Sequence, residues 1–370
     1  QESRGLGDVY KRQTYTYGEY TGEYTAADAN YPALLQDNRR ESERVDMQFQ
    51  TNYNRTFGNH TIGATYVFER REEKANWMNG ERKFDFFTIG ELDNARESDQ
   101  KVSGSSEHQA YLSHIGRLTY DYKGKYLLSA TMRADGSSKF AKGNRWGFFP
   151  AGALAWRISN EDFLKDNQVV SNLKLRLSYG SSGNDRIDAD LYQKLYGVSS
   201  SRPAGWGEVS HYYYNFYNSK YVYNPDVKWE TTITRNIGID FGFFKERLSG
   251  TIDVYWNTVK DLLVPSDIPG YTGYTKLMTN VGQTSNRGIE LQLNAWLIET
   301  KDFSLNATFN IGHNKNKIDK LASGEKEWIL TSAWRNDVVN SDDYRAYVGG
   351  TSGLIYGYVN DGFYTCLLYT

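Results

Sequence analysis

The sequence has little cysteine, little proline and no long apolar run. Its 370 residues include one cysteine and six prolines, so paired-cysteine metal motifs are absent and strands are rarely interrupted. Apolar runs such as AGALAW at 151–156 are far shorter than the about 18 apolar residues that a membrane-spanning helix needs. A helical membrane protein is therefore excluded. A transmembrane β-barrel is not, because alternating strands conceal the membrane signal from an averaged hydropathy.

An excess of charge of one sign is also missing. The 43 basic and 45 acidic residues nearly cancel and are scattered along the chain, so nucleic acid is not an expected partner. The chain contains no HExxH, no phosphate-binding GKS or GKT and no GxSxG, and its five histidines show no ligand spacing. These absences give no support for an enzyme, a bound metal or another cofactor.

Aromatic residues are abundant, by contrast, in a chain of polar mean hydropathy. Tyrosine and tryptophan number 30 and 9, and the mean hydropathy is −0.68. Several runs alternate apolar and polar residues, which is the period of a β-strand. In the run 229–244 only Arg235 interrupts the apolar parity. Four pairs of such runs flank short turns and predict hairpins. The turns are Gly58-Asn59-His60, Lys123-Gly124-Lys125, Lys245-Glu246-Arg247 and Thr300-Lys301-Asp302.

Short turns alternate with long polar connections along the chain. The long connections are expected at 71–107, 134–147, 183–227, 264–286 and 314–350. A link of moderate length is expected at 160–172, at the same end of the strands as the four short turns. Short periplasmic turns and long extracellular loops are typical of an outer-membrane barrel. A soluble sandwich or propeller is the alternative, but the expected strands of about 11 to 16 residues are longer than sandwich strands. We therefore predict an all-β fold, an antiparallel transmembrane β-barrel of which about eleven strands are present.

Several long blocks resemble one known family, in the family's order. They are RADGSSKFAKGNRWGFFPAGALAWRIS (133–159), LKLRLSYGSSGND (173–185), NPDVKWETTITRNIGIDFGFFKERLSGTIDVYWNTVKDLL (224–263), NVGQTSNRGIELQLNA (280–295) and GLIYGYVNDGFY (353–364). These blocks closely resemble the barrel of SusC/RagA-type TonB-dependent outer-membrane transporters. The family-motif residues are Gly136, Ser137, Ser138, Asn144, Arg145, Trp146, Pro150, Trp156, Asn286, Arg287 and Gly288.

The resemblance implies a barrel of about 22 strands in the outer membrane of the Bacteroidota. It implies an N-terminal plug, a SusD-like surface lipoprotein as partner, the TonB complex as energy source, and an oligosaccharide or peptide as cargo. A passive porin or a glycan-binding surface adhesin is the alternative. Because no plug, TonB box or final barrel strands are found, we expect a barrel fragment at 14–365. GLGDVYKRQ at 5–13 and CLLYT at 366–370 resemble translated sequencing-adapter sequence, so we expect foreign sequence at 1–13 and 366–370.

Charged residues on the polar parity are the first candidate functional set. They are expected to face the lumen and to contact the plug, the cargo or one another. Arg133 and Asp135 are expected to pair, beside a turn at 135–138. Leu154, Trp156 and Ile158 are expected to face lipid, and Pro150 to mark a strand start or a bulge. The lumen set comprises Arg117, Arg133, Asp135, Arg157, Arg176 and Glu290.

An aromatic loop, WGEVSHYYYNFYNSKYVY at 206–223, is the second candidate set. Its rings could stack on sugars or contact the lipoprotein, or they could pack the loop and mark the membrane interface. Asp342, Asp343 and Asp361 lie in expected loops and could bind calcium, although loop acids are usually only solvated. The candidate contacts in the aromatic loop are Trp206, Tyr212, Tyr213, Tyr214, Phe216 and Tyr217.

Overall fold

The described part of the chain folds mostly as β-sheet. A computed structural model describes residues 9–17, 33–84, 100–164, 167–193, 196–198, 214–216, 221–269, 271, 274–321, 326–330 and 344–355. Within these ranges, no helix has the length and apolar character to span a membrane.

Eleven strands form one continuous antiparallel sheet, in the order β1-β2-β3-β4-β5-β6-β7-β11-β12-β15-β16. This sheet confirms the predicted fold class and strand number. The strands are β1 (Val9–Tyr17), β2 (Ala33–Phe57), β3 (His60–Phe84), β4 (Lys101–Tyr122), β5 (Tyr126–Ser137), β6 (Trp146–Arg157), β7 (Val170–Asn184), β11 (Glu230–Phe243), β12 (Leu248–Lys260), β15 (Gln283–Glu299) and β16 (Ser304–Lys320).

Eight short strands lie in the long connections and form three small sheets. β10 pairs with β14 and β14 with β13, β17 and β19 flank β18, and β8 pairs with β9. A 3-10 turn, Ile158–Asn160, starts the link between β6 and β7. The short strands are β8 (Tyr196–Val198), β9 (Tyr214–Phe216), β10 (Tyr221–Val222), β13 (Leu263–Asp267), β14 (Lys276–Asn280), β17 (Glu327–Leu330), β18 (Tyr344–Tyr347) and β19 (Leu354–Ile355).

All four predicted hairpins are present. The β2–β3 turn is closed by Gly58 at φ 57°, and the β4–β5 turn by Lys123 and Gly124 at φ 56° and 63°. Left-handed backbone suits these tight hairpin turns because its twist matches that of the flanking strands. The short turns and the Ile158–Asn160 link lie at the same end of the sheet, which we call the short-turn end.

The strands are longer than predicted, and this corrects two of the expected connections. β3 continues to Phe84 and β4 begins at Lys101, so most of the expected loop at 71–107 is paired strand. Asp135, Gly136 and Ser137 belong to β5 rather than to a turn, and the turn is formed by residues 138–145. Polar residues occupy both parities there, so alternation disappears although backbone pairing continues. Val9–Tyr17 also runs across the expected domain boundary at residue 13.

Pro150 lies inside β6, opposite Met132, and marks neither a strand start nor a bulge. The β6–β7 ladder begins one residue later, with Ala151 opposite Gly180. The Pro150 carbonyl faces β7, where it accepts a hydrogen bond from Ser181 Oγ at 3.1 Å. Amide and carbonyl of one residue point to the same neighbour in an antiparallel ladder. The missing N–H therefore faces the edge where pairing has stopped, and no ladder bond is lost.

The register gives the sheet an apolar face and a polar face. Leu128 pairs with Leu154, Leu154 with Leu177, and Ile237 with both Leu177 and Val254. Large apolar side chains on this face are solvent-exposed, with Leu118 at 61% and Leu154 at 53%. Trp156 also lies on it, as predicted, whereas Ile158 follows the end of β6. In a soluble sandwich this face would be covered by a second sheet. Its exposure favours lipid as its environment.

A small core joins the connections at the opposite end of the sheet. Phe140, in the β5–β6 turn, is fully buried against Ile187, Val227 and Met278 from three other segments. Trp229 packs on this cluster, with its ring centroid 5.3 Å from that of Phe140. Side chains from one turn therefore fix the connections after β7 and β12.

Candidate functional site

The polar face carries an ion-pair network at the middle of the sheet. Arg176 on β7 lies 2.8 Å from Asp240 of β11 and 3.1 Å from Asp253 of β12. Lys174 lies 3.5 Å from the second oxygen of Asp240. The guanidinium thus bridges two carboxylates on consecutive strands, and Asp240 is shared by two cations. Such paired charges belong on a lumen wall, since hydrocarbon would penalise them strongly.

Gly238 provides the space for this network. It lies beside Arg176 on one side and Asp253 on the other in the cross-strand register. A Cβ atom at this position would lie 2.5 Å from Asp253 Oδ1 and 2.7 Å from Arg176 Cζ. The absence of a side chain therefore allows the arginine to lie across β11.

A second charged group lines a polar cleft of about 770 Å³ nearer the loops. Arg133 Nε lies 2.6 Å from Asp135 Oδ2, so the expected ion pair is present. Arg133 also lies 3.9 Å from Glu69, and its Nη2 donates to Ser113 Oγ at 3.5 Å. Asp46 and Arg71 form a further pair, at 2.7 Å, in the same cleft. The cleft combines both signs of charge with hydroxyl groups and suits polar, weakly charged ligands.

The other three predicted lumen residues are not brought into these networks. Arg117, Arg157 and Glu290 lie on the polar parity of β4, β6 and β15. Their side chains make no hydrogen bond or ion pair within the described ranges. Glu290 lies directly opposite Asp253, a pair of like charges across two strands.

The motif at 133–159 ties the loops together rather than forming a catalytic site. Ser137 is buried, and its hydroxyl donates to Asp185 Oδ2 at 2.8 Å. Asn144 Nδ2 donates to the carbonyl of Pro225 at 3.1 Å, and Trp229 Nε1 donates to the Arg145 carbonyl at 2.9 Å. Each of these hydrogen bonds joins two different connections. The polar residues of the motif therefore hold the loops together.

The remaining motif residues lie within the sheet or at its edges. Ser138 Oγ accepts a hydrogen bond from the Ala110 amide at 2.9 Å. Gly136 is paired with Trp146. Gly288 lies beneath Tyr255, whose hydroxyl oxygen would be 2.6 Å from a Cβ there. Asn286 is on the polar face, whereas Arg287 is on the apolar face opposite Trp256.

A polar and aromatic anchor closes the short-turn end. Glu161 accepts hydrogen bonds from Tyr126 at 2.7 Å, Lys125 at 2.9 Å and Trp156 Nε1 at 3.0 Å. Together these donors, with Tyr126 the strongest, lower the pKa of the Glu161 carboxyl to about 2. The Tyr126 and Trp156 rings stack at 6.4 Å. Aromatic rings whose polar tips point away from the apolar face are typical of a membrane interface.

Most of the aromatic-loop and acidic candidates lie outside the described residues. Tyr214 and Phe216 are the terminal residues of β9, and the other four aromatic candidates lie outside the described residues. Asp342, Asp343 and Asp361 also lie outside them. Within the described ranges, no group of three potential metal ligands occurs.

Sequence reasoning missed the partners that complete these groups. Asp240 and Asp253 lie on the polar parity, so their position was predictable, but their contact with Arg176 depends on the register of three strands. Phe140 stands in a polar turn and gives no periodic signal. Glu161 follows a strand end, where alternation stops.

A family model of the TonB dependent receptor-like β-barrel matches residues 3–365. The chain belongs to this family. As a TonB-dependent receptor barrel segment, it is part of an outer-membrane protein, with the apolar face toward lipid and the polar face toward the lumen. This confirms the family predicted from the sequence blocks.

Curated TonB-dependent receptors are similar to this chain but much longer. SusC of Bacteroides thetaiotaomicron is 44% identical over 217 residues, which are 58% of this chain and 21% of SusC. Receptor P39 of Formosa agariphila is 33% identical over 336 residues, 88% of this chain and 30% of P39. The chain therefore spans between about a fifth and a third of these relatives.

Among solved structures, the RagAB peptide importer in its closed-closed state shares the fold. It has 23% identity and a TM-score of 0.76, and the match covers 93% of this chain and 36% of the RagAB chain. At this identity the similarity concerns the fold alone.

Proposed function

We propose that this segment forms part of the barrel wall of a TonB-dependent transporter that imports nutrients across the outer membrane. The observation that carries the proposal is the sheet with one exposed apolar face and one face of paired charges, in a chain of this family. A barrel wall that contacts lipid on its outside and a polar domain on its inside needs one apolar face and one polar face. The apolar face would hold the barrel in the bilayer, and the polar face would hold the plug and the cargo route.

The proposed cargo is an oligosaccharide, with a peptide as the alternative. The sequence blocks resemble the SusC/RagA group, and this resemblance implies an oligosaccharide as the usual cargo. The alternative is considered because RagAB is described as a peptide importer. The polar cleft beside Arg133 supports a hydroxyl-rich ligand, because both signs of charge there are already paired. A SusD-like lipoprotein and the TonB complex are the proposed partners.

The proposed roles of individual residues follow from their positions. Arg117, Arg157 and Glu290 have no side-chain partner in the described ranges and would contact the plug. Arg133 and Asp135 would line the cargo route. The aromatic loop at 206–223 would contact cargo or the lipoprotein.

Uptake by cells that carry the full-length transporter tests this function. Labelled oligosaccharides and peptides of matched size are offered to cells with and without TonB. Accumulation of one class only when TonB is present supports the proposal. Uptake that persists without TonB indicates a passive porin, and surface binding without accumulation indicates an adhesin.

Charge reversal at Arg133 tests its role within that function. Arg133→Glu places a third carboxylate beside Asp135 and Glu69, so plug seating or transport should be impaired. Arg55→Glu, on the apolar face near the short-turn end, is the matched control. Normal uptake and normal barrel yield for Arg133→Glu would show that Arg133 is not needed.

A further inference from the structure

Arg235 is the single charged residue among the outward positions of β11. Its neighbours on the apolar face of that strand are Ile233 and Ile237, and it is half-buried. Its Nη1 donates to the hydroxyl of Thr258 on the next strand at 3.3 Å. No carboxylate within the described ranges pairs with it. A cation on a lipid-facing surface is costly at mid-depth, so its position requires an explanation.

Cations continue along the same cross-strand row. The register of β11 and β12 places Arg235 beside Trp256. Trp256 pairs with Arg287 on β15, and Arg287 pairs with Lys315 on β16. Neighbouring strands lie about 4.8 Å apart, so the row from Arg235 to Lys315 is about 15 Å long. We call Arg235, Arg287 and Lys315 the outer cation row.

The outer cation row lies at the loop-side edge of the apolar band. Arg235 precedes Phe243, the last residue of β11, by eight positions. With about 3.3 Å per residue and a tilt of about 40°, this separation is about 20 Å along the membrane normal. The apolar band of such barrels is about 25 Å tall. Exposed apolar residues, Ile237, Val254 and Ile289, lie directly below the row. The row therefore lies near the outer edge of the apolar band, where long cationic side chains can reach the outer-leaflet headgroups.

The corresponding outward row on β3 to β6 carries no lysine or arginine. It lies eight to nine positions from the short-turn ends of these strands, like Arg235 on β11, and consists of Phe68, His114, Ala134 and Phe148. Arg287 and Lys315 also make no ion pair within the described ranges, and the nearby Asp319 lies beside Lys317, at 3.9 Å. The outer cation row is thus a local cluster and not a charged belt.

We propose that the outer cation row binds the phosphorylated headgroup of an outer-leaflet glycolipid. Guanidinium groups match phosphate oxygens in a two-pronged geometry, and lysine adds a mobile point charge. Trp256, between two arginines, offers a flat face to the headgroup sugar. The acyl chains would lie on the exposed apolar residues below. This combination selects a lipid, since free phosphate gains nothing from the apolar surface and an acidic peptide has no acyl chain.

Binding of lipid A to the full-length protein in detergent tests the proposal. The test variant is Arg235→Gln, Arg287→Gln and Lys315→Gln combined. The matched control combines Arg55→Gln, Lys123→Gln and Lys301→Gln, which removes the same charge near the short-turn end. Each variant is titrated with phosphorylated lipid A, with dephosphorylated lipid A and with inorganic phosphate, and complexes are counted by native mass spectrometry.

Each lost cation should weaken binding of phosphorylated lipid A about fivefold, or about a hundredfold for the test variant. The control should bind like the parent. Dephosphorylated lipid A should bind parent and test variant equally, and inorganic phosphate should bind neither. Equal loss in control and test variants, or parental affinity in the test variant, overturns the proposal. Folding is checked by heat-dependent gel mobility, and the single variants Arg287→Gln and Lys315→Gln replace a triple variant that does not fold.

Discussion

The two faces of the eleven-stranded sheet are stabilised in different ways. On the apolar face, side chains such as Leu118 and Leu154 remain more than half exposed, and their stability depends on the surrounding lipid. On the polar face, Arg176, Asp240 and Asp253 contact one another across three strands. On one face, apolar side chains are stabilised by their transfer from water into lipid. On the other face, charged side chains are stabilised by specific ion pairs. Substitutions at matched positions on the two faces should have different effects.

The largest difference is expected for a lysine placed on either face of β15. Leu293 is in the middle of the apolar face, opposite Phe309, whereas Gln292 is its neighbour on the polar face. Leu293→Lys should destabilise the inserted barrel by about 2–4 kcal/mol, because the charge enters hydrocarbon. Gln292→Lys should change stability by no more than about 0.5 kcal/mol. Denaturant titration of the full-length protein in lipid vesicles measures both, and equal effects would contradict the face assignment.

Replacing one glycine on each face by alanine should give the opposite order, with the larger loss of stability on the polar face. Gly238→Ala on the polar face must displace Arg176 or Asp253, and overpacking of this kind costs about 1–3 kcal/mol. Gly116 lies on the apolar face, and a Cβ there meets no atom within 4 Å. Gly116→Ala should therefore be neutral or slightly stabilising in the same titration. A neutral Gly238→Ala would show that the ion pair has room to move.

A smaller effect is expected from the ion pair itself. Arg176→Gln and Asp253→Asn, singly and together, form a double-mutant cycle. The coupling free energy should be about 0.5–1 kcal/mol, because both groups are partly solvated. A coupling near zero would mean that the 3.1 Å contact contributes no stability.

The smallest effect concerns pH at the short-turn end. The pKa of Glu161 is lowered from 4.5 to about 2, so its contribution is fully present above pH 4.5 and is lost as pH falls toward 2. The protection of the 158–164 link, measured as its amide exchange rate relative to the intrinsic rate at the same pH, should fall within that window. Glu161→Gln should remove this pH dependence and give the link lower protection than the parent at neutral pH. Unchanged protection from pH 4.5 to 2 in the parent would contradict the role of Glu161.

Alternation predicted the hairpins because lipid and lumen impose opposite chemistry on successive residues. It identified Leu154 as outward and Arg176 as inward without any knowledge of the register. Beyond the bilayer both faces meet water, so the continuation of β3 to Phe84 and of β5 to Ser137 left no pattern in the sequence. The partners of Arg176 could be placed on the correct face, but the pairing needed the register of three strands.

Residues outside the alternation could be located only in the structure. Phe140 is a lone apolar residue in a polar turn, and its burial depends on Ile187, Val227 and Met278, which are distant in sequence. Glu161 is anchored by donors from two neighbouring strand ends. Arg235 was recognised as an interruption of the apolar parity, but its meaning became clear only when Arg287 and Lys315 were placed in the same row.

Nitroxide scanning of β12 tests the two-face assignment most directly. Single spin labels at positions 251–256 of the full-length protein in lipid vesicles are exposed in turn to oxygen, which partitions into lipid, and to a water-soluble nickel chelate. Labels replacing Ile252, Val254 and Trp256 should be more accessible to oxygen, and those replacing Thr251, Asp253 and Tyr255 more accessible to the chelate. Alternation with the opposite phase, or no alternation, would contradict the account.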